Sequence, residues 1–233
     1  MALVHQPDLT EADQLATAGR DARVLIAELA DPQPSRRRAA ALDLGSALLP
    51  GVANPDPSGA ANGDGADLSE PGRPALGRTA VTDALLRRVA VEPTATVRHA
   101  VLTVLAGFDS PEVAAGLAPH LHSDDAGLRV AVADAMAAMP VGVAPLLPHL
   151  VSDTDPDERI MTAMLLAGMH HPQAVTWLEK MVAYDPAPNV VGAALNALLP
   201  LVEPGRTQLL TGVRRRFPND PFLTFTVDAA LAS

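Results

Sequence analysis

A motif that recurs about every thirty residues constrains this chain more than any other feature. An acidic turn residue followed six positions later by an arginine occurs at Asp31/Arg37, Glu92/Arg98 and Asp153/Arg159, with degenerate copies at Ser123/Arg129 and Asp185/Val191. The steps between arginine positions are 61, 31, 30 and 32 residues. Residue types then recur in register. Two positions on stand Ala39, Ala100, Ala131, Met161 and Ala193; seven on stand Leu44, Leu105, Met136, Leu166 and Leu198; eight on stand Gly45, Ala106, Ala137, Ala167 and Leu199. Small and large apolar residues thus alternate along one helical face. Ahead of the turn, Leu25, Leu86, Leu117 and Leu147 occupy matching places and give each copy a second apolar helix. A unit of this size cannot bury its own apolar face and must stack on its neighbours.

Local punctuation supports two helices per copy. Ser110-Pro111, Asp155-Pro156 and Asp220-Pro221 each set a capping side chain before a proline suited to a first helical turn. His171-Pro172 and Asp185-Pro186 mark further breaks, because the residue before proline is pushed out of the α region. About six helix pairs follow, at 10–30 and 35–49, 79–90 and 94–107, 111–121 and 125–138, 141–151 and 156–168, 172–184 and 187–201, and 205–216 and 219–232. The expected fold is all-α: one right-handed α-solenoid domain spanning residues 1–233. The step of 61 residues spans about two periods, but residues 51–77 are too rich in Gly, Pro, Asn and Asp to be helical and are expected to form an exposed insertion loop between the first and second pairs.

Composition narrows the function classes. The chain has 17 basic and 27 acidic residues, a net charge of -10, which opposes binding to duplex nucleic acid. The absence of Cys removes disulfides, thiolate metal sites and cysteine nucleophiles, and fits a reducing compartment. Neither a signal-peptide pattern nor a stretch of membrane-spanning length is present, so a cytoplasmic location with no membrane partner is expected.

The segments EPTATVRHAVLTVLAG, SDDAGLRVAVADAMAAM and SDTDPDERIMTAMLLAG resemble the short HEAT repeats found in phycobilin lyase subunits and many bacterial proteins. The resemblance covers residues 81–201 well and 10–49 more loosely, and 205–232 looks like a degenerate terminal cap. It implies paired helices stacked into a curved array, with the second helices lining a concave docking face. It implies no catalytic residue, since the repeat motif contains none.

Each candidate for chemistry has a structural alternative. Arg37, Arg98, Arg129 and Arg159 are the candidate partner-binding residues, as a ladder facing an acidic partner; as structural residues they would pair with turn carboxylates of their own or the adjacent repeat. His120, His122, His149, His170 and His171 lie near carboxylates, but His120 and His149 match in position at helix C-terminal ends, where the helix dipole favours a cationic side chain, so no metal is expected. The run from Asp153 to Asp157 imitates the start of a calcium loop, yet it lacks the sharp-turn glycine and has Met164 where the bidentate glutamate belongs. Phosphate loops, nucleophile elbows and zinc-type His-Glu pairs are absent, so neither catalysis nor a cofactor is expected.

Basic clusters at Arg36-Arg37-Arg38, Arg87-Arg88 and Arg214-Arg215-Arg216 admit a DNA-glycosylase-like reading, which the low aromatic content opposes. Trp177 and Tyr184, seven apart on one helix, are expected to pack into the core, and Phe217, Phe222 and Phe225 to seal the C-terminal end of the stack. The leading expectation is a non-enzymatic scaffold that binds a protein partner on its concave face, with acidic turns favouring a basic partner at the rim. A bilin-lyase-like chaperone or accessory subunit is the alternative.

Overall fold

The structure, a computed structural model, describes residues 21–48, 77–203 and 205–232. These residues are helical with turns between, and no strand occurs among them. The chain divides into two compact units, Met1–Gly107 and Phe108–Ser233.

In the first unit the described residues form α1 (Ala22–Glu28), α2 (Pro34–Leu48), α3 (Arg78–Val91) and α4 (Ala95–Gly107). They make two pairs, α1 with α2 and α3 with α4, and the second helices α2 and α4 pack on each other. Val97, Ala100, Val101, Val104 and Leu105 bury one stripe of α4 at helical spacing. The approach of α2 is close enough that a Cβ on Gly45 would lie 2.6 Å from Val104 Cγ2. Apart from Gly77, the loop expected at 51–77 lies outside the described residues.

The second unit holds four pairs. The first helices are α5 (Pro111–Leu117) with a 3₁₀ turn (Ala118–His122), the short pieces α7 (Pro140–Val143) and α8 (Leu147–Leu150), α10 (Pro172–Tyr184) and α12 (Thr207–Arg216). The second helices are α6 (Ala126–Ala137), α9 (Pro156–Gly168), α11 (Pro188–Leu198) and α13 (Pro221–Ala232). They stack in the order α6, α9, α11, α13. Each unit is thus all-α with the solenoid-type stacking of helix pairs that the repeat predicts, two pairs in the first and four in the second among the described residues.

The capping residues act as their sequence positions suggest. Ser110, Asp125 and Asp220 accept the amides of Val113, Leu128 and Leu223, and Asp155 accepts that of Asp157. Two expectations change. The helix expected at 141–151 breaks at Ala144–Leu146, because Pro145 has no amide to donate and its ring obstructs the preceding turn. In α3 the buried leucine is Leu85, with Leu86 half-buried, so that copy is shifted by one residue. Where α7 meets the start of α5, Asp109 at φ 38 aims its carboxylate at the Val141 and Gly142 amides, and a Cβ on Gly142 would lie 2.7 Å from the Ser110 carbonyl.

Candidate functional site

The turn motif has one recurring geometry. The acid folds its carboxylate back onto the amide two residues on: Asp31 onto Gln33, Glu92 onto Thr94, Asp153 onto Asp155 and Asp185 onto Ala187, at 2.7–2.9 Å. The arginine six residues on then donates to the carbonyl of the turn residue itself. Arg37 reaches Asp31 O at 2.8 Å, Arg129 reaches Ser123 O at 2.5 Å and Arg159 reaches Asp153 O at 2.7 Å.

Two of these arginines also join adjacent pairs. Arg37 donates through Nε and Nη2 to both Glu92 oxygens at 2.8 Å, and Arg159 does the same to Asp185 at 2.6 and 3.0 Å. All four side chains are buried. Planar bidentate pairing of this kind suits arginine and leaves no buried carboxylate unmatched. Burial pushes the Glu92 carboxyl up, but the Arg37 hydrogen bond, the Thr94 amide and the charges of Arg88 and Arg37 outweigh it and hold the group at about 2. Arg37 and Arg159 therefore face inward and fix one pair to the next, while Arg98 and Arg129 are half-buried.

The histidines divide. Burial lowers the pKa of His120, opposite to the cationic tendency expected at a helix C-terminus. His122 lies 3.6 Å from Asp153 through Nε2 and 3.5 Å from the buried Glu158 through Nδ1, so its two ring nitrogens face different carboxylates. Burial raises the Glu158 carboxyl, His122 opposes that, and Asp153 and Asp155 add to it. Among the described residues no group of three or more His, Cys, Asp or Glu side chains could hold a metal ion.

The residues that do not repeat are the ones exposed on the second helices. Positions one and five past the register residue lie on the side of each second helix away from its main buried stripe, though Gly192 is buried and Ile160 half-buried there. In the second unit these places hold Val130 and Asp134 on α6, Ile160 and Met164 on α9, and Gly192 and Asn196 on α11; on α13 Phe225 and Ala229 are exposed. Val130 is 42% exposed, Met164 47% and Phe225 74%; Phe222, beside them on α13, is 52% exposed. Because α6, α9, α11 and α13 stack in order, these side chains share one face.

The aromatic residues also depart from expectation. Tyr184 is 81% exposed and Trp177 is half-buried, so neither belongs to the core. On α13 it is Leu223 and Val227 that bury against the stack, while Phe222 and Phe225 point outward.

Residues 143–221 match the family model of the HEAT repeats. That stretch, about a third of the chain, is similar to HEAT repeats. No curated protein matches the sequence. Two crystal structures of engineered proteins are similar at 15% identity, covering 91% of this chain and 98% and 96% of their own, with TM-scores of 0.36 and 0.35. Likeness at that level bears on no part of the function. No helix among the described residues is long and apolar enough to cross a membrane.

Proposed function

We propose that this HEAT-repeat chain is a non-enzymatic scaffold that docks a protein partner on the outward face of α6, α9, α11 and α13. The observation that carries the reading is the exposure of Val130, Met164, Phe222 and Phe225 on stacked second helices. Exposed apolar side chains gathered on one face mark interaction surfaces more than scattered ones do. Asp134 and Asp157 are exposed on the same helices and favour basic groups at the partner's rim. In this reading Arg129, half-exposed beside Val130, borders the surface, whereas Arg159 acts by tying α9 to the turn ahead of α11, two of the helices that present it.

The test is comparative capture from native extract with the parent chain and a V130D/M164D variant as baits. The variant is expected to keep its melting temperature and lose the principal captured protein. Equal capture by the two baits would overturn the assignment of this face.

A further inference from the structure

The chain contains one Trp and one Tyr, and both line the same groove. Trp177, Lys180 and Tyr184 sit at i, i+3 and i+7 of α10, on the flank beside the buried stripe of Ala174, Leu178, Met181 and Val182. The groove has a volume of about 470 Å³ and is walled elsewhere by Val151, Pro186, Asp153 and the Arg159–Asp185 pair, whose charges cancel. Since α10 is a first helix, this surface is separate from the second-helix face proposed above.

Three properties of the groove define its occupant. First, the two rings are seven residues apart, a rise of about 10.5 Å along the helix. A polyproline II strand advances about 9.3 Å per turn of three residues, so prolines one turn apart meet the two rings in succession. Second, the Trp177 indole, the exposed Lys180 ammonium and the exposed Tyr184 hydroxyl give the groove a row of hydrogen-bond donors along α10. A polyproline II strand has no internal hydrogen bonds, so its carbonyls are free to accept from such a row. Third, Lys180 Nζ lies 4.4 Å from the centroid of the Trp177 ring and makes no ion pair among the described residues, which leaves a positive charge against the indole, on the residue that lies between the two aromatic positions in the chain. A carboxylate between the prolines complements it.

We propose that the groove on α10 binds an extended, proline-rich peptide segment carrying an acidic residue between its prolines. The rings supply stacking surface of low conformational cost, and the ammonium sets the preference for a carboxylate.

Trp177 is its own reporter, so the full chain can be titrated with a synthetic peptide of Pro-Pro-Glu triplets while indole fluorescence is followed. Saturable quenching or blue shift is expected. A Pro-Pro-Lys peptide should bind roughly tenfold more weakly, and Y184A, which changes only an exposed side chain and keeps the reporter, should weaken the Pro-Pro-Glu peptide by about tenfold at unchanged melting temperature. In K180E the peptide preference should reverse. No saturable response to Pro-Pro-Glu would overturn the proposal. So would an equal response to a Gly-Ser-Glu peptide of the same charge, which would make the contact one of charge alone, or unaltered affinity in Y184A.

Discussion

Arg216 donates to the backbone carbonyl of Asp185, the turn position that Arg37, Arg129 and Arg159 serve from within their own copies. The Asp185 copy has Val191 in place of the arginine, and Val191 is fully buried. The missing guanidinium thus comes from the end of the next first helix, α12. The same side chain donates to Val182 O at 2.9 Å and Ala183 O at 2.5 Å, the final carbonyls of α10, where a cation also meets the negative end of the helix dipole.

Replacing Arg216 with alanine strands three carbonyls at once. The expected loss is about 1–2 kcal/mol, the range for charge-assisted bonds at a partly solvated site. R216K should recover only part of it, because an ammonium cannot fork across three acceptors. Urea unfolding followed through Trp177 on α10 measures this directly, and an unchanged midpoint in R216A would show that water replaces the guanidinium without cost.

The Arg37–Glu92 pair makes stability in the first unit depend on acid in a defined window. Glu92 is held at about 2 against an ordinary 4.5. The folded carboxyl binds its proton less readily than the unfolded one, so the contribution is complete above about pH 4.5 and is lost as pH falls through that value towards 2. E92Q removes the charge while keeping the shape and leaves Arg37 buried without its counter-ion. It should cost about 3 kcal/mol at neutral pH, with a shallower loss of stability on acidification than the parent shows. Parallel stability curves for the two proteins between pH 5 and the acid limit of folding would contradict this linkage.

The repeat register and the helix starts were legible because they are local. Ser110, Asp155 and Asp220 declare their helices through a capping side chain followed by proline, and the recurring Ala and Leu positions mark the buried stripe. Arg37 and Arg159 were legible as pairing residues for the same reason, since their partners Glu92 and Asp185 are the turn acids of other copies. What needed coordinates was long-range or a matter of sign. Nothing near Val191 announces that Arg216 will serve its turn. Trp177 and Tyr184 share a helical face by spacing alone, but spacing does not say which face; Ala174, Leu178 and Met181 take the core side and leave the rings outside. The outward positions on the second helices are hard to read because they differ from copy to copy, and a repeat search rewards what is constant.

Gly192 and Phe222 provide a test of how the outward face is built. Gly192 is in the interior of α11, where alanine would ordinarily be favoured by up to about 1 kcal/mol in helix propensity. A Cβ there would lie 2.9 Å from Phe222 Cε1 and 3.4 Å from Cδ1, so the ring rests where the side chain would go. The ring is 52% exposed and can swing outward, but only by giving up its contact with α11. G192A in the parent should therefore be near neutral or mildly destabilising, whereas in an F222A background it should stabilise by about 0.5–1 kcal/mol. A double-mutant cycle by urea denaturation reads the difference as a coupling energy. If G192A has the same effect in both backgrounds, the ring is not seated on α11, and Phe222 belongs to the outward face without being positioned by it. If the coupling is found, G192A also becomes a tool: it displaces one aromatic ring on the proposed docking face while introducing no charge.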